Sequence, residues 1–148
     1  MAQILRRDLP DGYFHVTACS VHEAPLVQDG RDAEMIISLL RRAVIRFGLG
    51  LHVYCVMGTH YHALVDGRTE NLSRAAQWLQ SLYAREHNAR HRRSGALFAQ
   101  RFSSWVVHDE EHYRAAFEYI LQNPVRAGLV RTAEEWPWSG APGRQPHL

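Results

Sequence analysis

The sequence predicts an α+β fold, an antiparallel sheet with helices on one face, and three observations carry that prediction. Short segments rich in aromatic and β-branched residues alternate with long segments of helical periodicity. Two of the short segments, Leu51 to Met57 and His60 to Asp66, are separated only by Gly58-Thr59, which makes them a hairpin. The length of 148 residues and the 46% hydrophobic content suit one compact domain over 1–148.

The elements follow in order. Tyr13 to Cys19 reads as a strand after the turn signal Pro10-Asp11-Gly12. Arg31 to Phe47 carries apolar residues at Met35, Ile36, Leu39, Leu40, Ala43, Val44 and Phe47, a helical period, and Gly48 supplies its stop. After the hairpin, Asn71 is expected to cap a helix from Leu72 to about Arg90, with Leu72, Ala75, Ala76, Leu79, Leu82 and Tyr83 on one stripe. A loop around Gly95 leads to a fourth strand, Phe102 to His108, and the acidic turn Asp109-Glu110-Glu111. The last helix runs from about Glu110 to Asn123, where Pro124 is expected to stop it. Trp136-Pro137-Trp138 predicts a docked segment ahead of a frayed Gly/Pro-rich end. The order β-α-β-β-α-β plus one helix is the split βαβ, ferredoxin-like arrangement.

No apolar run approaches the ~20 residues that span a bilayer, and Met1 to Asp8 lacks the layout of a signal peptide. Cys19 and Cys55 sit in apolar segments and read as reduced core residues, so a cytoplasmic location is expected. The formal net charge is only +2, but all 17 basic residues are arginine. Arg85, Arg90, Arg92, Arg93 and Arg101 cluster with only Glu86 opposing them, and His87 and His91 lie among them. Planar guanidinium groups bind phosphate bidentately and stack on bases, so the cluster is a candidate DNA-binding patch. A solvated helix end gives the same composition.

The third strand carries His60-Tyr61-His62. Side chains alternate along a strand, so His60 and His62 share a face and can grip one ion, while Tyr61, Ala63 and Val65 hold the strand to the core. On the last helix the apolar stripe is Tyr113, Phe117, Ile120 and Leu121. At ~100° per residue Tyr119 lies well off that stripe, with Asn123 one turn further on and His112 on the same side. A tyrosine packing at a helix flank with its hydroxyl in water satisfies the same geometry.

These segments resemble a known family. Tyr54-Cys55-Val56-Met57 leading into His60-Tyr61-His62, Asn71-Leu72-Ser73, Gly95 with Leu97-Phe98 and Arg101, and the run Tyr119 to Val130 are together similar to the REP-associated tyrosine transposases. Those enzymes belong to the His-hydrophobic-His superfamily of single-strand DNA transposases and nicking enzymes. The resemblance extends from His15-Val16-Thr17 to Trp136-Pro137-Trp138-Ser139. It implies Tyr119 as nucleophile, His60, His62 and Asn123 as ligands of a divalent cation (magnesium or manganese), and single-stranded or hairpin DNA as partner. Arg126, in the same run, joins the candidate DNA-binding residues, and His112 is a candidate proton acceptor. Three departures concern DNA recognition: Gly58-Thr59 replaces the family's Pro-Asn and predicts a looser turn, Ala18-Cys19-Ser20 replaces Asn-Arg-Gly, and Ala99 and Ser103 replace Gln and Lys. Two other readings stay open, a non-catalytic nucleic-acid-binding domain and a zinc protein using His60, His62 and Cys55. Monomer and homodimer both fit, with the tyrosine acting in its own chain or across a dimer.

Overall fold

Phe14, Val16 and Ala18 alternate with Tyr13, His15, Thr17 and Cys19 along the first strand, and that two-residue period decides how the sheet is covered. In the computed structural model, which describes residues 12–99 and 102–142, the elements are β1 (Tyr13–Cys19), α1 (Gly30–Arg46), β2 (Gly50–Val56), β3 (His60–Asp66), α2 (Thr69–Arg90), β4 (Ser103–Val107), α3 (Glu110–Leu121), α4 (Asn123–Arg126) and β5 (Ser139–Gly140). They build a five-stranded antiparallel sheet in the order β4-β1-β3-β2-β5. The alternation of α and β elements is the one the sequence predicts. The candidate patch residue Arg101, the turn residues Pro10-Asp11 and the end of the tail fall outside the described residues.

Two apolar clusters lie on opposite faces. Phe14, Val16, Ala18, Tyr61, Ala63 and Val65 face α1 and α2, packing with Ile36, Leu39, Leu40, Leu72, Leu79 and Tyr83. Val53, Cys55 and Leu64 face α3, packing with Ala116, Phe117 and Ile120. Thus α1 and α2 share one face and the tyrosine-bearing α3 lies on the other. Towards its start, α3 is fixed by a polar chain: His52 Nδ1 is 2.8 Å from the Tyr113 hydroxyl, and His52 Nε2 is 2.5 Å from Asp66 Oδ2.

Two boundaries differ from expectation. Asn71 does not cap α2, because the helix begins at Thr69 after Arg68, and the Leu72 N–H already donates to the Arg68 carbonyl at 2.9 Å. Glu70 in that first turn complements the positive end of the helix dipole. Pro124 does not simply end the chain's helical course: α3 closes at Leu121 and Pro124 opens α4, at a position where a missing N–H removes no helical bond. The tryptophan segment docks as expected, with the Val56 N–H donating to the Trp138 carbonyl at 2.8 Å and the Trp136 indole N–H to the Val56 carbonyl at 3.1 Å, and Ser139–Gly140 after it adds the short strand β5. Gly48 does end α1 as expected, at a φ of 66° that disfavours any side chain.

Ile120 is fully buried between α3 and the sheet, whereas Ile45 is 81% exposed on α1. Denaturant unfolding of Ile120→Ala is expected to show a loss of about 2–5 kcal/mol, and Ile45→Ala a change within ~0.5 kcal/mol.

Candidate active site

The hairpin that presents His60 and His62 is braced from outside. The Ser20 N–H donates to the Thr59 carbonyl at 2.9 Å, and the Leu26 and Val27 N–H groups donate to the Gly58 carbonyl at 2.9 and 3.0 Å. Gly58-Thr59 is therefore pinned by the segment after β1, which corrects the expectation of a looser turn.

Both histidines project toward the α3 side, with ring centroids 5.0 Å apart and planes at 89°. Thr59 Oγ1 lies 3.2 Å from His60 Nδ1, and the Asn123 side chain hydrogen-bonds His60. His62 is buried, and its Nδ1 lies 3.0 Å from both His15 Nε2 and Thr17 Oγ1. Antiparallel pairing creates this contact, since Thr17 sits directly opposite His62 across β1 and β3. With Nδ1 engaged, Nε2 is the His62 atom left for a ligand.

Tyr119 is half exposed, and its ring centroid stands 5.9 Å from those of His62 and His15. The Arg126 guanidinium carbon lies 3.9 Å from the centre of the Tyr119 ring, and Arg126 Nη2 donates to the Tyr119 carbonyl at 2.8 Å. His112 and Trp105 line the same open cleft as His15, Thr17, His62 and Tyr119. His112 Nδ1 accepts the His108 N–H at 3.2 Å.

Burial lowers the pKa of all three central imidazoles. His62 is pushed down to about 3 by burial, with His60, His15 and the Arg126 charge adding to the effect. His60 and His15 are also lowered by burial; the Asn123 hydrogen bond opposes the shift at His60, and His112 adds to it at His15. These rings are neutral near pH 7, the state in which imidazole can ligate a metal or accept a proton.

The structure thus gathers His60, His62, Asn123, Tyr119 and Arg126 in one corner, with His112 in the cleft wall. It separates the arginines of the sequence cluster. Arg90 donates to Asp29 and Asp32, and Arg93 to Asn88 Oδ1 and the Gly95 and Ala96 carbonyls. These guanidinium groups are committed inside the chain, because carboxylates and carbonyls 2 to 61 residues away claim their donors. Of the cluster's described members, Arg85 and Arg92 are exposed. Cys55 sits opposite His62 but is fully buried, and burial pushes its thiol up to about 12, which disfavours the thiolate a zinc ligand requires.

His15, Thr17 and Trp105 were missed in the sequence. The signal for the first two was the alternation of β1, which sets them on the face opposite Phe14, Val16 and Ala18. Trp105 carries no comparable signal, because its role comes from the pairing that places it beside His15, at 5.6 Å between rings.

Comparison with known proteins gives a consistent picture. The family described as "Transposase IS200 like" matches residues 9–123, a span that takes in both histidines, Tyr119 and Asn123. A Haemophilus influenzae protein named, provisionally, as a REP-associated tyrosine transposase is 23% identical over 96 residues, covering 57% of this chain and 54% of its own length. This chain thus spans about half of that relative. A REP-associated tyrosine transposase solved bound to a REP hairpin shares the fold at a TM-score of 0.73 and 17% identity, over 86% of this chain and 75% of that one. A provisionally named transposase from Deinococcus radiodurans aligns at a TM-score of 0.52 and 20% identity, over 75% of this chain and 88% of that one. At these identities the two structural likenesses concern the fold.

The depressed His62 pKa has a consequence for stability. A histidine whose folded pKa lies below its unfolded value contributes stability above about pH 6.5 that is lost as the pH falls toward the folded value. In EDTA, lowering the pH from 7 to 5 is expected to destabilise the wild type, with His62 accounting for roughly 2 kcal/mol. His62→Gln should flatten that dependence in denaturant titrations at the two pH values, and an unchanged slope would refute the assignment.

Proposed function

The chain belongs to the family of IS200-like transposases, and from that premise we propose that it cuts and rejoins single-stranded DNA through a covalent bond to Tyr119. The observation that carries this reading is the meeting, within one chain, of the Tyr119 phenol with the His62 ring at 5.9 Å and the Arg126 guanidinium at 3.9 Å. That proximity favours a tyrosine acting on the site of its own chain.

His60, His62 and Asn123 are the residues that would hold a divalent cation. The donor set fits, because both imidazoles are neutral, His62 has Nδ1 tied to β1, and Asn123 stands beside His60. Imidazole ligands favour manganese over magnesium in affinity. When bound, such a cation neutralises the non-bridging oxygens of the scissile phosphate and orients it.

The chain's own residues supply the rest. Tyr119 Oη attacks phosphorus, the bond from phosphorus to the 3′ oxygen breaks, and the products are a 5′-phosphotyrosine and a free 3′-hydroxyl. The phenolic proton passes to the cleft imidazole of His112, which gives up its 3.2 Å bond from the His108 N–H to accept it, and a proton returns to the 3′ oxygen, so the step is neutral overall. The phosphotyrosine conserves the energy of the broken ester, and reversal onto another 3′-hydroxyl rejoins DNA without ATP. Arg126 faces the incoming phosphate beside Tyr119 and offsets its charge. His15 and Thr17 position His62, and the 53% exposed Trp105 offers a face on which an unpaired base can stack.

The substrate is single-stranded DNA flanking a hairpin. Support comes from the open cleft and from the fold relative solved on a REP hairpin. A phenol lying beside the sheet does not reach into a paired duplex without opening it.

Tyr119→Phe is expected to abolish cleavage of a labelled hairpin oligonucleotide and the covalent protein–DNA band on a denaturing gel, while gel-shift binding persists. EDTA should stop wild-type cleavage and manganese restore it. Cleavage by Tyr119→Phe would remove the nucleophile, and binding by wild type with no cleavage in manganese would favour a DNA-binding role alone. Trp105→Ala is expected to raise KM about 5- to 160-fold, in line with ~1–3 kcal/mol per stacked base, with kcat changed far less.

A further inference from the structure

We propose that Asp32, His87 and His91 form a metal site for zinc, separate from the transposase site, that staples the start of α1 to the end of α2. Among the described residues, this is the one set of three His, Cys, Asp or Glu side chains whose ligand atoms converge, all within 4.8 Å of one another. It lies across the sheet from Tyr119, on the side covered by α1 and α2.

The chemistry of the set is that of a zinc site. His87 in the last turn of α2 and His91, which caps that helix, are four residues apart, with ring centroids 4.5 Å apart. Asp32 Oδ2 lies 2.8 Å from His91 Nε2 and 4.0 Å from His87 Nε2. Two imidazoles and one carboxylate oxygen leave a fourth position for water, a common zinc arrangement.

The second, independent observation is His87 itself. It is 1% exposed, and neither ring nitrogen makes a hydrogen bond of good geometry. The adjoining Asn88 commits its carboxamide to Gly95 and Arg93 and reaches His87 only loosely. A buried imidazole so poorly satisfied is costly, and Nε2, 4.0 Å from Asp32 Oδ2, is where a cation would satisfy it.

The surroundings orient the carboxylate without closing the site. Arg90 Nη1 binds Asp32 Oδ1, the Gln28 N–H donates to Oδ2 at 2.9 Å, and Arg90 also bridges to Asp29. One guanidinium thus serves two carboxylates. Zinc would replace the His91–Asp32 hydrogen bond and stabilise the segment that pins Gly58-Thr59.

The test uses a His60→Gln/His62→Gln chain, so that zinc held by the other histidines does not count. After chelation, addition of zinc and desalting, elemental analysis is expected to find one zinc per chain, and zinc should raise the melting temperature by several degrees. Adding His91→Gln should abolish both. No retained zinc in the double variant, or an undiminished zinc effect with His91→Gln, would overturn the site. Should a variant not fold, the wild type still decides: zinc must protect His91 from diethylpyrocarbonate, mapped by mass spectrometry, and equal modification with and without zinc would also overturn it. The outcome does not depend on the transposase reading.

Discussion

The candidate active site depends on one constraint, that α3 covers only part of its sheet face. Phe117 and Ile120 seal the apolar patch of Val53, Cys55 and Leu64, and the strand ends beyond them carry His15, Thr17, His60 and His62. These side chains lose solvent to the neighbouring helix but are not sealed by it. Their desolvation is offset by bonds among themselves, with His62 Nδ1 held by both Thr17 and His15. A longer apolar contact along α3 would give a more ordinary core and no site. The polar half of the face is the reason the helix leaves Tyr119 half exposed.

Arg126 links the charges in this corner. It is anchored to the Tyr119 carbonyl and lies over the Tyr119 ring, while its charge helps to keep His62 neutral. A fixed cation beside neutral imidazoles fits the phosphate-binding role proposed for this corner. In that proposal the imidazoles stay available as ligands, and the guanidinium would attract the anion without depending on their protonation.

What was legible in the sequence was local periodicity. Alternation along β3 placed His60 and His62 on one face, and the helical period of α3 set Tyr119 off its apolar stripe, both as found. What was not legible came from long-range pairing. Arg90 looked like a phosphate contact until Asp29 and Asp32, 61 and 58 residues earlier, were seen to claim its donors. The added strand β5 is two residues long, too short to show a period, and is specified by Trp136 and Trp138 docking on Val56. His15 and Thr17 could have been found by extending to β1 the alternation applied to β3. Their bearing on His62, however, follows from a register that only the pairing of β1 with β3 fixes.

The hairpin turn is gripped from two sides, and this sets where His60 stands relative to Tyr119. On one side, Leu26 and Val27 hold the Gly58 carbonyl, while the Leu26 carbonyl accepts the Tyr83 hydroxyl of α2 at 2.5 Å. On the other, Trp136 and Trp138 clasp Val56, just before the turn. The first grip traces through Asp29 and Asp32 to Arg90, so the arginine that seemed destined for DNA instead stiffens the frame beneath the histidines. Glycine at position 58 then imposes no looseness, because the backbone bonds that fix the turn come from its neighbours. The family's proline at that turn and this chain's external brace are alternative ways to restrict the same backbone, one by fixing φ and the other by saturating the carbonyls.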